Sequence, residues 1–357
     1  MAKRGGAKRG GKAPVKAVNL ALQGGGAHGA FTWGVLDRLL EDGRIQIEAV
    51  SGTSAGAMNA VIVADGLMRA GADGAREGLE RFWKGVSDAG RLSPIQRGPI
   101  DVFMGNWSLD NSPSYVFFDL LHRVASPYDV NPFNFNPLQK ILDEVVDFDR
   151  VRGCDKMKVF ISATNVETGR VKVFNRRELT SDMVMASACL PFMFQAVEID
   201  GVPYWDGGYM GNPVIFPFYG ASKSDDIVIV QINPVERKGT PRSAREILSR
   251  VNEITFNASL LKELRAIDFV RRLLDSGKLD PEDYRRLHVH LIEAQDRIMP
   301  LGASSKLNAE WDFLRHLFEI GRDTAGEWIE TCYQHLGERS TVDTRAMFQG
   351  LGAQHHG

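Results

Sequence analysis

The stretch AVSGTSAGAMNA, Ala49 to Ala60, sets Ser54 between Gly52 and Gly56 with an apolar run on either side. IQIEAVS before it reads as a strand. SAGAMNAVIVADGLMRAG after it reads as a nearly all-apolar helix, which implies burial against a sheet. In a nucleophile elbow the serine occupies a strained turn from strand to helix. Glycines two residues before and after it remove the Cβ atoms that would clash where the two elements pass. Ser54 then projects into a crevice at a helix N-terminus. Ser51 and Thr53 lack the paired glycines and are assigned to strand and turn.

Two further glycine-marked segments accompany this one. AVNLALQ (Ala17 to Gln23) reads as a strand and leads into GGGAHGAF, a glycine turn that exposes backbone N–H groups at a helix N-terminus, where the peptide dipoles favour an anion. Gly24, Gly26 and Gly29 also satisfy the G-x-G-x-x-G dinucleotide pattern. That reading needs an acid at the end of the second strand. Glu48 stands near the required place but is followed by Ala49 and Val50, and then by the Ser54 turn rather than a ribose-binding loop. The third segment is VEIDGVPYWDGGYMGNP. Asp200-Gly201 already supplies a hairpin turn there, which leaves Asp206-Gly207-Gly208 less needed as one.

Elsewhere KVFISATN, RVKVFN, DIVIVQIN and LHVHLIEA read as strands. ASLLKELRAIDFVRRLLDSG and LNAEWDFLRHLFEIGRDTAGEWI read as long amphipathic helices. Alternating strands and helices at this spacing predict a mostly parallel sheet covered on both faces, with ligands at the carboxyl ends of the strands. From Phe103 to Phe135 the chain is proline-containing and rich in aromatics, including Trp107, Tyr115, Phe117, Phe118, Tyr128 and Phe133. This segment is either a satellite core or a wall for an apolar substrate.

At 357 residues and a net charge of -2 the totals name no partner. Residues 1–16 carry six Lys/Arg and no acid, so they read as a disordered basic tail that is either a solubilising arm or a weak contact for anionic lipid. The tail lacks a secretory signal's apolar centre, and no run is long enough to span a bilayer, which predicts a cytoplasmic protein. Cys154, Cys189 and Cys332 are odd in number and widely spaced, as expected of reduced thiols. No oxygen-rich loop or His/Cys spacing suggests a metal, and no cofactor or nucleic-acid partner is expected.

Taken together, GGGAHG, GTSAG and DGG stand in the order and relative positions of the patatin-like phospholipases, and the chain resembles that family from about Val18 to Ile232. SATNVETGRVKVF, ASACLPFMF and DGGYMGNP resemble further family segments. The resemblance implies a three-layer α/β sandwich over residues 17–337; the aromatic composition places an insertion in it at about 100–137, and the polar chain beyond it reads as a C-terminal tail at 338–357. It implies hydrolysis of lipid acyl esters by a Ser54–Asp206 dyad without histidine. Gly24, Gly25 and Gly26 form the oxyanion side, with the Ala55 N–H a further candidate donor, and Gly52 and Gly56 form the elbow. The resemblance also implies lipid esters as substrates, while the basic tail and the aromatic insertion point to peripheral contact with an anionic membrane or lipid-granule surface. His28 departs from the family pattern, which often has Arg or Lys there. Trp205 beside Asp206 is expected to exclude water from the carboxylate. Two rival readings remain at this level. One is an α/β-hydrolase triad in which His288 or His290 follows Asp206 in the required order. The other is a lipid-surface protein with an inactive site.

Overall fold

In the computed structural model, residues 14–350 are described, the side chains of residues 99, 100, 119, 122 and 123 excepted. Most of the basic tail and the terminal GAQHHG therefore lie outside the described residues. The elements run β1 (Lys16–Leu22), α1 (Gly29–Asp42), β2 (Ile45–Gly52), α2 (Ala55–Gly90), α3 (Pro99–Phe103), α4 (Pro113–Val124), α5 (Pro127–Val130), α6 (Pro137–Val145) and α7 (Phe148–Arg152). They continue with β3 (Lys158–Asn165), β4 (Val171–Asn175), α8 (Ser181–Ser187), β5 (Val197–Ile199), β6 (Val202–Asp206), α9 (Pro217–Ala221) and β7 (Asp226–Val230). The last are α10 (Ala244–Asp275), β8 (His288–Ile292), α11 (Gln295–Ile298), α12 (Trp311–Cys332) and α13 (Thr344–Gln349).

The strands form one sheet in the order β5-β6-β3-β2-β1-β7-β8, with β4 added on β3. Strands β3, β2, β1, β7 and β8 are mutually parallel; β4 and β6 pair antiparallel with β3, and β5 pairs antiparallel with β6. The central strands are apolar on both faces, as a parallel sheet covered on both sides requires. Leu20, Leu22, Val228 and Val230 face the large core made with α1, α2 and α12. Ala21, Ile227 and Ile229 face the smaller one, where Leu260, Leu264 and Ile267 of α10 and Phe218 of α9 cover them. The expected three-layer architecture is the one observed. Among the described residues no helix is long and apolar enough to cross a membrane.

Three stretches differ from the sequence reading. Helix α2 does not stop near Gly71. It breaks at Ala70 and Gly71, where the backbone leaves helical geometry, and a second arm folds back along the first. The indole N–H of Trp83 donates to Asn59 Oδ1 at 3.0 Å, and Gly78 sits against Ile62. Helix α10 begins at Ala244, well before Ala258, and the signal for this was local. Ser243 accepts from Glu246 N while Glu246 accepts from Ser243 N, a capping box written in the sequence as Ser-Ala-Arg-Glu. Finally, residues 338–350 are not all free tail. Helix α13, capped by Asp343, packs on α10, with Met347 and Phe348 against the smaller core. Thr341 Oγ1 is 3.0 Å from His290 Nδ1, and Val289 N donates to Ser340 Oγ.

Deleting residues 338–357 leaves the buried His290 ring without one of its two partners and exposes apolar surface. The loss should cost about 2 kcal/mol or more, read as a lower urea midpoint. An unchanged midpoint would identify this segment as a free tail.

Candidate active site

One edge of β3 is shared by two strands. Its residues Lys158–Ile161 pair with β2 as far as Gly52, and its residues Ala163–Asn165 pair with β6, with Asp206 opposite Ala163. Strand β4 occupies the other edge. Because β6 runs antiparallel, its last residue travels toward the end of β2, and the two strands meet head to head. Ser54, two residues beyond β2, and Asp206, the last residue of β6, are brought together at that junction.

The turn at Ser54 is strained, with φ 54° and ψ −121°, a backbone region rarely adopted by residues other than glycine. The crossing around it is tight. A Cβ on Gly52 would lie 2.5 Å from Gly56 O, and one on Gly56 would lie 2.4 Å from Leu22 O. The turn is pinned from three sides. Ser54 N donates to Ser187 Oγ at 2.9 Å, Thr53 N donates to Leu22 O at 3.3 Å, and Thr53 Oγ1 donates to Gly211 O at 2.7 Å. Ser187 is a residue that sequence reasoning missed. Its segment ASACLPFMF resembles a family segment, but nothing local shows its hydroxyl reaching across 133 residues.

Asp206 is 1% exposed, and the Ser54 hydroxyl lies close enough to lower its carboxyl pKa. Its Oδ1 accepts from Gly208 N at 2.7 Å. Its own backbone is held by Cys189 O and by Thr164 Oγ1, each at 2.8 Å. Burial pushes the carboxyl pKa up to about 7, against the opposing pull of the Gly208 and Ser54 hydrogen bonds. The expected role of Trp205 is not what the strand allows. Adjacent residues of a strand face opposite sides of the sheet, so Trp205 projects away from the carboxylate. Cys189 and Tyr209 are the neighbours close enough for the carboxylate's charge to raise their pKa values, though burial raises both more.

The glycine turn lies against the elbow, since a Cβ on Gly24 would be 2.7 Å from Ser54 Cβ. The Gly24 N–H is donated to Asn212 Oδ1 at 2.7 Å. It is therefore committed elsewhere, which removes Gly24 from the expected oxyanion donors. Among the described residues the N–H groups of Gly25 and Gly26 meet no acceptor.

None of the three singled-out histidines joins this centre as a base. His28 is buried, and Ser305 Oγ, which donates to Gly302 O, accepts from its Nε2 at 2.7 Å. Burial and the charge of Lys306 pull its pKa down to about 3, so the ring is neutral. His290 Nε2 pairs with Asp226 Oδ1 at 2.9 Å. It stands opposite Val228 on β7, roughly 14 Å across the sheet from β2 at three strand spacings. His288 opens the same edge strand, opposite Asp226. Glu48, the candidate ribose ligand, instead accepts from Lys223 N and Ser224 N.

With this geometry in place, the comparisons are decisive as to family. The family model for Patatin-like phospholipase matches residues 20–219. The chain belongs to that family. Among curated proteins, no sequence similar to the patatin-like chain was found. Several solved structures resemble it at low identity, among them VipD and ExoU. VipD from Legionella pneumophila is 17% identical, with a TM-score of 0.35, covering 86% of this chain and 67% of that one. ExoU, in its heterodimeric complex with SpcU from the type III secretion system of Pseudomonas aeruginosa, is 15% identical, with a TM-score of 0.38 and 90% of this chain covered. The patatin-like chain spans about half of that protein's length, 52%.

Asp206 titrates near 7 when folded and near 3.8 when unfolded, so the native state holds the extra proton between these values. Stability from this group is full below about pH 4 and is lost as pH rises toward 7 and beyond. Asp206→Asn, which does not ionise, should therefore gain on the wild type as pH rises from 4 to 8. The gain should reach on the order of a few kcal/mol, read by urea unfolding at both pH values. A pH-independent difference would contradict the raised pKa.

Proposed function

We propose that the protein is a serine hydrolase of lipid acyl esters, of the phospholipase A type, working through a Ser54–Asp206 dyad. Family membership gives lipid ester hydrolysis in general. The observation that carries the finer reading is the strained Ser54 turn beside a buried carboxylate whose pKa lies near 7 and on which the Ser54 hydroxyl acts. A carboxylate of ordinary pKa is too weak a base for a serine hydroxyl, and a desolvated one in direct contact is better matched.

In this reading Asp206 takes the Ser54 Oγ proton as the oxygen attacks the acyl carbonyl. The tetrahedral oxyanion is met by the Gly25 and Gly26 N–H groups, with Ala55 N–H at the start of α2 as a third donor, each contributing about 3 kcal/mol. The intermediate collapses with loss of the alcohol, which takes the proton from Asp206. Water, activated by Asp206, then releases the acyl group from Ser54.

A mainly apolar cavity of about 840 Å³, whose lining does not itself include Ser54 or Asp206, supports a lipid substrate by its position beside the elbow. Its lining includes Val86, Phe118, Leu121, Met193, Phe194 and Trp311. The second arm of α2 runs back beside the first, with Trp83 at Asn59. Val86 and Ser87, one turn further on, are thereby carried to the level of the elbow. Met193 and Phe194 follow Cys189, the residue bonded to Asp206 N. The aromatic insertion thus forms one wall of the cavity while also leaving Phe103, Phe117, Phe133 and Phe135 exposed, Phe133 to 94%. We read this exposed face as the one that meets a lipid surface.

Ser54→Ala and Asp206→Asn should each lower ester turnover at least a thousandfold in a folded protein, and Ser54→Ala should abolish fluorophosphonate labelling. His288→Ala and His290→Ala should leave turnover largely intact where the protein folds. A folded His288→Ala variant as damaged as Asp206→Asn would replace the dyad with a triad.

For the surface contact, vesicle sedimentation of wild type and of Phe117→Asp/Phe133→Asp is the test. The variant should pellet several-fold less with phosphatidylcholine–phosphatidylglycerol vesicles while hydrolysing a short soluble ester normally. Equal pelleting would remove this face from the membrane contact.

A further inference from the structure

Beyond residue 219, where the family match ends, a chain of polar groups reaches back to the glycine turn. Lys306 Nζ donates to Asn233 Oδ1 at 2.6 Å. Asn233 Nδ2 donates to Gly24 O at 2.7 Å and to Gln23 Oε1 at 3.3 Å. The amide cannot be turned round. An ammonium only donates and a carbonyl only accepts, so Oδ1 must face Lys306 and the NH₂ must face Gly24. Asn233 is fully enclosed at 1% exposure, and its own N–H is held by Gln23 Oε1 at 2.8 Å.

The consequence lies in the next peptide. Gly24 C=O and Gly25 N–H belong to one planar trans unit and point in opposite directions. Asn233 holds the carbonyl on one side and thereby aims the Gly25 N–H to the other. Gly24 N, fixed by Asn212 Oδ1, prevents the preceding peptide from rotating. A hydrogen bond to a carbonyl also polarises the N–H of the same peptide, and a cation at the head of the chain strengthens each bond in turn. The charge of Lys306 reaches this turn, since it helps to hold His28 neutral. The lysine's main-chain oxygen closes over Gly26, 2.5 Å from where a Cβ would stand. Burial lowers the Lys306 pKa, as does Arg237 to a smaller extent, while Glu253 opposes them and favours the charged ammonium.

We propose that Lys306 and Asn233 form a relay that orients and polarises the Gly25 N–H as an oxyanion donor. His28 cannot supply positive charge to the turn, and Lys306 supplies it from outside the glycine motif. Both are positioning residues, and the proposal rests on the hydrolase reading above for its kinetic consequence. Loss of an entire oxyanion donor costs about 100- to 1000-fold in kcat. Weakening one donor should cost less.

Lys306→Gln keeps a donor for Asn233 but no charge, and Lys306→Arg keeps the charge. With a soluble ester, Lys306→Gln should lower kcat about tenfold to a hundredfold with KM within twofold, and Lys306→Arg should recover most of the rate. Asn233→Asp retains a partner for the ammonium yet has no N–H for Gly24 O, and should be at least as slow as Lys306→Gln. The second measurement needs no substrate. In ¹⁵N-glycine-labelled protein the Gly25 amide proton should move upfield in Lys306→Gln and return toward its wild-type position in Lys306→Arg. A wild-type kcat in folded Lys306→Gln, or a Gly25 resonance that stays put there, overturns the relay while the hydrolase reading stands. A wild type that turns over no ester overturns the hydrolase reading instead, and the Gly25 shift alone then decides the relay.

Discussion

Strand β3 offers one edge to two partners, and the rest of the centre is arranged around the junction this creates. Strand β2 uses the first half of that edge and ends at Gly52, while β6 uses the second half and ends at Asp206. Two strands approaching head to head cannot both continue, so one must turn into a helix and the other into a loop. The Ser54 elbow and the Asp206-Gly207-Gly208 turn are those two exits. Backbone ladder bonds, which are numerous and cooperative, therefore set the spacing of two side chains that belong to distant parts of the sequence.

That placement leaves a carboxylate almost without solvent, a costly position for a charge unless its pKa rises. Asp206 responds by moving into the neutral range rather than by acquiring a cationic partner, because the described groups acting on its carboxylate are the Gly208 N–H and the uncharged Ser54 hydroxyl. The same burial that weakens the fold at high pH makes the group a better base. Strain at Ser54 belongs to the same pattern of local cost. The elbow is retained because Ser187, Gly211 and Leu22 over-determine it.

The polar network around the glycine turn performs a different task. Gln23, Asn212, Asn233 and Asn257 are all enclosed and bonded to one another or to backbone. Buried amides are costly when unpaired and rigid when paired. Here they fix the two peptides that flank the Gly24 Cα. Glycine lets the chain pass close to Ser54, and the surrounding amides remove the freedom that glycine would otherwise bring.

The sequence by itself determined the local chemistry of this protein. The apolar runs alternate at the spacing of a covered parallel sheet. Gly52 and Gly56 flank Ser54 because nothing larger passes the crossing, and the Ser243–Glu246 pair marks the start of α10 for a reader who looks for it. These features are legible because they depend on a few residues of neighbouring backbone. What the tertiary structure decided depends on contacts between distant segments. It placed Trp205 on the far side of the sheet from Asp206 and gave the Gly24 N–H to Asn212. It folded α2 back on itself to border a cavity, and it docked residues 338–350 through Thr341 and α13. It also brought Lys306 and Asn233 to a turn more than 200 residues earlier, with Asn233 Nδ2 on Gly24 O across 209 positions. Burial and hydrogen-bond direction are properties of the packed chain, and no window of sequence carries them.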